Sequence, residues 1–367
     1  MSAFHIDKNI ARAKTISSGF YTQPSCYEEA KEKIFVPSWQ FICETDRVKN
    51  PQDSFPFVLL DNYLQEPLLL TRDLDYQLHC LSNVCTHRGN LLVSKSCSLS
   101  QLRCKYHGRV FSLDGRLLSM PEFSEVENFP AASDNLKELE LFQWGKLLFT
   151  SLQPGLPAAV FFKEMQERMH WFPMENLQLR EDLSKDYTVK ANWALYCENY
   201  LEGFHIPFVH AGLNTVLDFG EYSTEIFPYA SLQTGYGKKG TDCFELPADS
   251  ADYGKKIAAY YFWIFPNCMF NFYPWGLSLN IVQPVGISET KISFRTYVLD
   301  SSKLDTGAGS GLDTVEKEDE AIVESVQAGI RSRFYSQGRY SVTREQGTHH
   351  FHSLLAAFMN QPATRLL

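Results

Sequence analysis

The chain reads CTHRG at residues 85–89 and CKYHG at residues 104–108, and these two stretches decide the fold of its first part. Each stretch offers one thiolate and one imidazole. Zinc sites usually pair Cys with Cys and His with His, whereas each local pair here is mixed. The pattern favours a [2Fe–2S] cluster with thiolates on one iron and imidazoles on the other, and a Cys2His2 zinc site is the alternative. The four candidate ligands are Cys85, His87, Cys104 and His107.

Length and composition frame this hypothesis. The chain has 367 residues, of which 44% are hydrophobic and 14% aromatic, which is enough for two substantial cores. The formal net charge is −9, and Lys and Arg form no cluster that could neutralise phosphates. We therefore expect a two-domain acidic enzyme that does not bind nucleic acid.

The sequence also indicates a cellular location. Residues 1–14 contain no apolar segment of the kind found in signal peptides, and Pro and Asn residues interrupt the most apolar stretch, residues 260–275. The nine cysteines are scattered, which suits a reducing compartment better than a disulfide framework. We expect a cytoplasmic protein that does not interact with membranes.

Two domains follow from the pattern of turns. Between residues 38 and 152, turn signals recur at intervals typical of short strands, which predicts an all-β domain that holds the cluster. Longer mixed elements predict a second domain over residues 153–367, with a helical segment at residues 1–37 packing on it.

The Gly/Ser-rich stretch at residues 304–313 does not complete a G-x-G-x-x-G fingerprint, so no nicotinamide or flavin site is evident.

A second candidate metal motif contains His205 and His210. On an ideal helix, five residues rotate by about 500°, so the two imidazoles would point roughly 140° apart. Pro207 lies between them and could break the helix, which would allow both rings to reach one metal. Two histidines of an ordinary core are the alternative.

A ferrous ion that activates oxygen generally takes two His and one carboxylate. The best source of the carboxylate is a predicted helix over residues 315–333, where Asp319 falls within a seam formed by Val315, Ile322, Val326 and Ile330. A buried acid is costly unless it is paired or ligates a metal. Glu318, at the edge of the seam, is the alternative ligand, and we expect three further acids to be solvated: Glu316, Glu320 and Glu324.

These motifs resemble those of the alpha (oxygenase) subunit of Rieske non-haem iron oxygenases. Respiratory-type Rieske proteins carry two further loop cysteines, where this chain has Asn90 and Tyr106. The Glu-x-x-His-x4-His pattern at residues 202–210 and the acidic stretch at residues 318–327 match the iron motifs of the family. The resemblance implies an α+β fold, with an all-β Rieske [2Fe–2S] domain and a helix-grip (START-like) catalytic domain built from an antiparallel sheet and helices.

The resemblance also implies roles for individual residues. It assigns the mononuclear Fe(II) to His205, His210 and Asp319. It gives Glu202 a catalytic role, in which this acid bridges His205 to His107 of a neighbouring subunit in a homo-oligomer, probably a trimer in this family. A surface helix acid is the alternative for Glu202. Electrons are expected from a separate NAD(P)H-dependent reductase that carries flavin and an iron–sulfur centre. The family often has Trp where this chain has Arg109, which we expect to alter the surface that covers the cluster.

Glu at position 202 is a feature in which this chain resembles oxygenases that act on quaternary ammonium compounds, such as choline and carnitine monooxygenases. The expected reaction is hydroxylation or N-dealkylation of choline, carnitine or a betaine-like compound with O2. An aromatic-ring hydroxylating oxygenase (a dioxygenase acting on an aromatic acid) is the alternative. Aromatic residues could hold a cation by cation–π attraction, although aromatic strands often only fill cores. The expected substrate contacts are Trp263, Phe265 and Phe272.

Overall fold

The computed structural model describes residues 3–210, 212–304 and 306–362. The chain divides into two compact units: one runs from Val36 to Gly155, and the other combines the residues up to Phe35 with those from Leu156 onward. Parts of both expected flanking segments, namely residues 1–2 and 363–367, lie outside the described residues.

The unit from Val36 to Gly155 is built from short antiparallel strands in three sheets, with the orders β1-β11-β10, β5-β2-β3-β4-β9 and β6-β7-β8. Its strands are β1 Gln40–Glu44, β2 Asp53–Leu59, β3 Glu66–Arg72, β4 Leu78–Ser82, β5 Cys97–Ser98, β6 Leu102–Arg103, β7 Val110–Phe111, β8 Leu117–Ser119, β9 Glu138–Leu139, β10 Leu141–Trp144 and β11 Leu147–Thr150. The predicted all-β architecture of this unit is confirmed.

The core of this unit lies directly beneath the two Cys/His stretches. Leu69, Leu81, Leu102 and Phe111 are fully buried there and pack in one cluster with the thiols of the two stretches. Burying four such side chains contributes about 1.5–3 kcal/mol each relative to exposure. The strands therefore form a firm base from which the Cys/His stretches project.

The second unit contains an eight-stranded antiparallel sheet with the order β12-β19-β18-β17-β16-β15-β14, in which β13 also pairs with β19. Its strands are β12 Gln178–Leu179, β13 Lys185–Val189, β14 Ser223–Phe227, β15 Ala230–Tyr236, β16 Ile257–Ile264, β17 Cys268–Tyr273, β18 Gly276–Gly286 and β19 Glu289–Val298. Its helices are α1 Gly19–Thr22, α2 Pro24–Ala30, α3 Ala158–Arg168, α4 Trp193–Tyr200, α5 Ile206–Val209, α6 Leu213–Val216, α7 Leu312–Gly329 and α8 Gln346–Met359. The predicted combination of antiparallel sheet and helices is confirmed.

Helix α4 is anchored at its start by the capping residue before it and by its first residue. The side chain of Asn192 accepts a hydrogen bond from the Ala194 amide at 3.1 Å, which caps the helix. Trp193 then packs edge to face against Phe35 at 4.9 Å and Phe351 at 5.9 Å between ring centroids. The helix is thus anchored at its start, so the residues that follow its end have a defined position.

Within the described residues, no helix has both the length and the apolar character needed to cross a membrane.

A buried ionic network ties α3 to the sheet and provides a stability test. Asp252 is 1% exposed and accepts hydrogen bonds from Arg168 at 2.6 Å, Lys255 at 2.8 Å and the Tyr260 hydroxyl at 2.9 Å. Asp252→Ala should lower the free energy of unfolding by about 1.5–3 kcal/mol, because it removes a buried charged acceptor from three donors, although Arg168 keeps its ion pair with Glu225. Asp249→Ala is the control, since that side chain is 74% exposed and should change stability by less than about 0.5 kcal/mol.

The stability difference between wild type and Asp252→Ala should depend on pH. Burial acts to raise the pKa of Asp252, but hydrogen bonds from Lys255 and Arg168 lower it below its ordinary value. A depressed folded pKa gives a contribution that is fully present above the unfolded pKa of about 3.9 and is lost as the pH falls through the folded pKa. In urea unfolding followed by tryptophan fluorescence, the difference between wild type and Asp252→Ala should shrink on acidification. A constant difference would contradict the proposed network.

Candidate metal centres

The two Cys/His stretches adopt the same turn. The Cys85 amide donates to Asn90 O at 2.9 Å and the Gly89 amide to Cys85 O at 3.0 Å. The second loop repeats this pattern, since Cys104 N donates to the carbonyl of residue 109 and the amide of residue 108 donates back to Cys104 O. Gly89 and the glycine at position 108 have φ of 70° and 77°, a conformation that disfavours other residues. The glycine after each Cys/His pair is therefore needed for the turn.

The donor atoms of these loops fit a [2Fe–2S] cluster. The Cys85 and Cys104 thiols are hydrogen-bond partners, and the rings of His87 and His107 lie 4.7 Å apart. Nδ1 of each ring is buried and has no hydrogen-bond partner. A buried imidazole nitrogen without a partner is costly, and coordination to iron would satisfy both.

Arg109 does not lie on the surface that covers the loops, so the expectation for this residue is wrong. It is 2% exposed and donates to the Thr86 hydroxyl at 2.8 Å and to Asp134 at 2.8 Å. Its guanidinium also lies 5.3 Å from the ring centre of Phe129. Arg109 thus braces the first loop from inside the unit.

Contrary to the sequence prediction, the motif with His205 and His210 does not lie on one helix that Pro207 breaks. Helix α4 ends at Tyr200, five residues before His205, and α5 is a single turn that places His205 before its start and His210 after its end. Pro207 lies in the first turn of α5, where its missing amide costs nothing. The two histidines are therefore brought together by flanking one short helix, and Pro207 starts that helix rather than interrupting a longer one.

Three ligand atoms converge beside α5. Nε2 of His205 lies 3.1 Å from Nε2 of His210, and Asp319 Oδ1 lies 3.0 Å from the His210 atom and 3.6 Å from the His205 atom. Adjacent ligands about 2.1 Å from an octahedral metal are separated by about 3.0 Å. The three atoms therefore have the spacing of one face of a coordination octahedron, so the residues fit a mononuclear ion.

Helix α7 presents Asp319 to this site from a face that the sequence did not predict. Ile322 and Val326 are 40% and 46% exposed, so this half of the predicted apolar seam is wrong, whereas Ile330 is buried and Val315 lines a cavity. The buried face instead carries Glu316, Val323 and Gln327. Glu316 is 3% exposed, so the expectation that it is solvated is also wrong.

Each histidine of the motif has a carboxylate on its outer nitrogen. Glu202 Oε1 lies 2.7 Å from His205 Nδ1, and Glu318 Oε2 lies 2.8 Å from His210 Nδ1. Such outer partners fix the tautomer and orientation of a metal-binding imidazole. Burial alone would lower the pKa of His210, but the acids at 319 and 318 raise it. Glu318 therefore contacts the side of His210 that faces away from the converging atoms.

A cavity adjoins the three converging atoms, with an empty volume of about 800 Å³ that includes its opening to solvent. Six aromatic side chains contribute to its wall, namely Phe294 and five tyrosines: Tyr196, Tyr200, Tyr222, Tyr261 and Tyr273. The cavity can therefore hold a small molecule next to the candidate iron site.

The three expected substrate contacts do not line this cavity. Phe272 pairs with Tyr260 and lies on the opposite face of the sheet from Tyr261, because side chains alternate along a strand. Trp263 and Phe265 share the face of Tyr261 but lie under α8, against its residues Phe351 and Phe358. All three expected contacts are fully buried in the core, whereas the tyrosines line the cavity.

Glu316 is the cavity residue that the sequence reasoning missed. Its Oε2 accepts a hydrogen bond from the Tyr196 hydroxyl at 2.6 Å, and its Oε1 is buried without a hydrogen-bond partner. Burial, followed by nearby acids such as Asp319, raises the pKa of Glu316 to about 8. Its position three residues before Asp319 places both on one helix face, and this spacing could have identified it.

Two protein-family models and several relatives match this chain. Residues 174–361 match the catalytic domain of the ring hydroxylating alpha subunit, and residues 38–130 match the Rieske [2Fe-2S] domain. A chloroplastic choline monooxygenase of Arabidopsis thaliana is 32% identical over 94% of this chain and 83% of its own length. The carnitine monooxygenase oxygenase subunit of Escherichia coli K12 is 27% identical over 95% of this chain and 94% of its own length.

Solved structures show the same fold. The quaternary ammonium Rieske monooxygenase CntA in complex with L-carnitine has a TM-score of 0.73 and 24% identity, with 95% of this chain and 96% of that chain covered. A naphthalene 1,2-dioxygenase from Rhodococcus sp. bound to indole has a TM-score of 0.71 and 17% identity, with 95% of each chain covered.

The outer carboxylate on His210 can be tested through metal affinity. Glu318→Gln keeps the side-chain shape but removes the charge that holds His210 in its ligating tautomer. It should weaken Fe(II) binding at the mononuclear site about 10–100-fold, measured anaerobically by competition with a chelator. Glu320→Gln, two residues along the same helix, should leave the affinity unchanged. Equal affinities for the two variants would mean that Glu318 does not orient His210.

Proposed function

Because the chain belongs to the ring hydroxylating alpha subunit family of Rieske non-haem iron oxygenases, we propose that it oxidises a small quaternary ammonium compound with O2, by hydroxylation or N-dealkylation. The observation that carries this proposal is the tyrosine-lined cavity beside the three converging ligand atoms. Aromatic faces recognise quaternary ammonium groups by cation–π attraction. The choline and carnitine monooxygenases named above support the same substrate class.

We assign the metal ligands within this proposal. The buried imidazole nitrogens of His87 and His107, together with the two loop thiols, would hold the [2Fe–2S] cluster. The converging atoms of the 205/210/319 triad would hold Fe(II). When bound, the mononuclear ion supplies oxygen activation and the cluster supplies an electron.

The protein side chains then orient this site and hold its protons. Glu202 and Glu318 each accept from the outer nitrogen of one ligand histidine, which leaves Nε2 of both rings free to coordinate. Asn199 donates to Asp319 Oδ1 at 2.6 Å and so fixes the third ligand. The cavity wall places the substrate beside these atoms.

We further propose an electron path that runs between subunits. In this path a separate NAD(P)H-dependent reductase reduces the cluster, and the cluster of one subunit serves the iron of its neighbour in a trimer. Glu202 would join His205 to His107 of the partner subunit. The exposed aromatic residues beside these histidines support a protein contact there: Tyr106 is 57%, Phe204 42% and Phe208 80% exposed.

We also propose that the protein works in a reducing compartment, the cytoplasm. All nine cysteines, including the seven outside the cluster loops, are free in the structure. Free buried thiols suit a reducing environment.

The function and the iron site can be tested together by product and metal analysis. Anaerobically purified wild type should contain about three irons and two sulfides per chain and, with a reductase and O2, convert choline or another trimethylammonium compound. Asp319→Ala should lose about one iron and all turnover while the visible absorption of the cluster is kept, because only the mononuclear site loses its carboxylate. Glu320→Ala is the matched control. Zinc at either site, or turnover of aromatic acids with no turnover of any quaternary ammonium compound, would contradict the proposal.

The proposed role of Glu202 as a bridge between His205 and His107 of the partner subunit is tested by a separate variant. Glu202→Gln should keep both metal centres but reduce oxygen insertion by at least about 100-fold, since the neutral amide no longer couples the two histidines. Glu221→Gln, an exposed acid in the loop before β14, should turn over normally. Stopped-flow oxidation of the reduced cluster would locate the defect at electron transfer. Wild-type rates in Glu202→Gln would refute the bridge.

A further inference from the structure

The carboxyl group of Glu316 lines the cavity beside the triad and is not used by the site described above. We propose that Glu316 is the anionic contact for the substrate nitrogen, so that the cavity takes a quaternary ammonium cation without a carboxylate, as in choline, in preference to a zwitterion such as carnitine or a betaine. This inference rests on the proposed function and names the substrate class within it.

Burial makes Glu316 a specific site. The residue is 3% exposed, yet its Oε1 has no hydrogen-bond partner. Tyr196 satisfies only the other oxygen, at 2.6 Å. A buried carboxyl oxygen without a partner costs free energy of folding. Burial favours the protonated form of this carboxyl, and an ammonium group in the cavity would offset the cost by favouring the ionised form.

The remaining charges of the cavity also favour a cation. Among the described residues that line it, none is Lys or Arg, and three are acids. Two of the acids are engaged at the metal site, because Glu202 contacts His205 Nδ1 and Asp319 contacts His210 Nε2. Glu316 is therefore the lining acid left for a ligand, and a substrate carboxylate would meet no cationic side chain.

The polar groups of the wall are similarly committed to one another. The Tyr200 hydroxyl donates to Asn271 Oδ1 at 2.9 Å, and the Tyr222 hydroxyl donates to Gln233 Oε1 at 3.2 Å. The amide of Gln233 in turn donates to Tyr200 O at 2.6 Å. The hydroxyl protons of Tyr196, Tyr200 and Tyr222 are thus engaged within the protein and are not free to receive a carboxylate.

The helix places the substrate at the right distance from the candidate iron site. Glu316 and Asp319 are three residues apart on α7, so their Cβ atoms are neighbours about 5–6 Å apart on one face. A nitrogen held at Glu316 would present its methyl groups or the adjacent methylene to the triad. This spacing suits a small substrate rather than a long one.

Ligand binding to the wild-type holoenzyme tests the inference without any variant. Under anaerobic conditions, calorimetry should show choline binding at least 10-fold more tightly than 3,3-dimethyl-1-butanol, a neutral analogue of the same shape. It should also bind at least 10-fold more tightly than L-carnitine and glycine betaine. Equal affinity for choline and its neutral analogue, or tighter binding of either zwitterion, would overturn the inference.

A variant then assigns the effect to Glu316. Glu316→Gln keeps a hydrogen-bond acceptor for Tyr196 and should weaken choline binding at least 10-fold, while affinity for the neutral analogue, iron content and visible spectrum stay unchanged. Glu320→Gln, one turn along and outside the cavity wall, should bind choline as wild type does. Unchanged choline affinity in Glu316→Gln would overturn the assignment.

The outcomes also separate this inference from the proposed function. If the wild type oxidises carnitine or a betaine and binds it in preference to choline, the proposed function holds and the role of Glu316 fails. If the wild type binds and oxidises no quaternary ammonium compound, the proposed function itself fails.

Discussion

The catalytic unit depends on bringing three polar ligand atoms within 3.0–3.6 Å of one another at the end of a largely buried cavity. Such a cluster of lone pairs is unfavourable by itself, because each group loses water and repels its neighbours. The surrounding structure compensates with fixed partners: an acid on the outer nitrogen of each histidine and the Asn199 amide on Asp319. The same partners preorganise the site for a divalent cation.

The two cluster loops also hold polar ligand atoms close together, and they do so with short turns. Their identical backbone turns need a glycine with positive φ four residues after each cysteine, and the apolar core beneath them holds the thiols. Arg109 adds a buried cation that joins Thr86 to Asp134. Both metal centres therefore rest on short local motifs that are supported by groups distant in sequence.

Prediction from sequence succeeded and failed at identifiable residues. Asp319 was selected for lying on an apolar seam, yet the seam residues Ile322 and Val326 are exposed and Asp319 faces inward with Glu316. The choice of Asp319 thus rested partly on a seam of which only half faces inward, and partly on the resemblance of residues 318–327 to the family's motif. The aromatic residues Trp263 and Phe265 were on the correct face of the sheet, but α8 covers that part of it. Helix periodicity and strand alternation define faces, and packing determines which part of a face meets the cavity.

The sequence alone determined the all-β character of the first unit and the oxygenase family, and it predicted the two Cys/His loops and the His-x4-His motif. It could do so because each motif lies within a few residues and its chemistry depends on local spacing. The tertiary structure decided which face of α7 is buried, which tyrosines line the cavity and that Glu316 keeps an oxygen without a partner. These features depend on contacts between segments far apart in the chain, such as the 109 residues that separate His210 from Asp319. Hydrophobic periodicity within a single segment carries no information about such contacts.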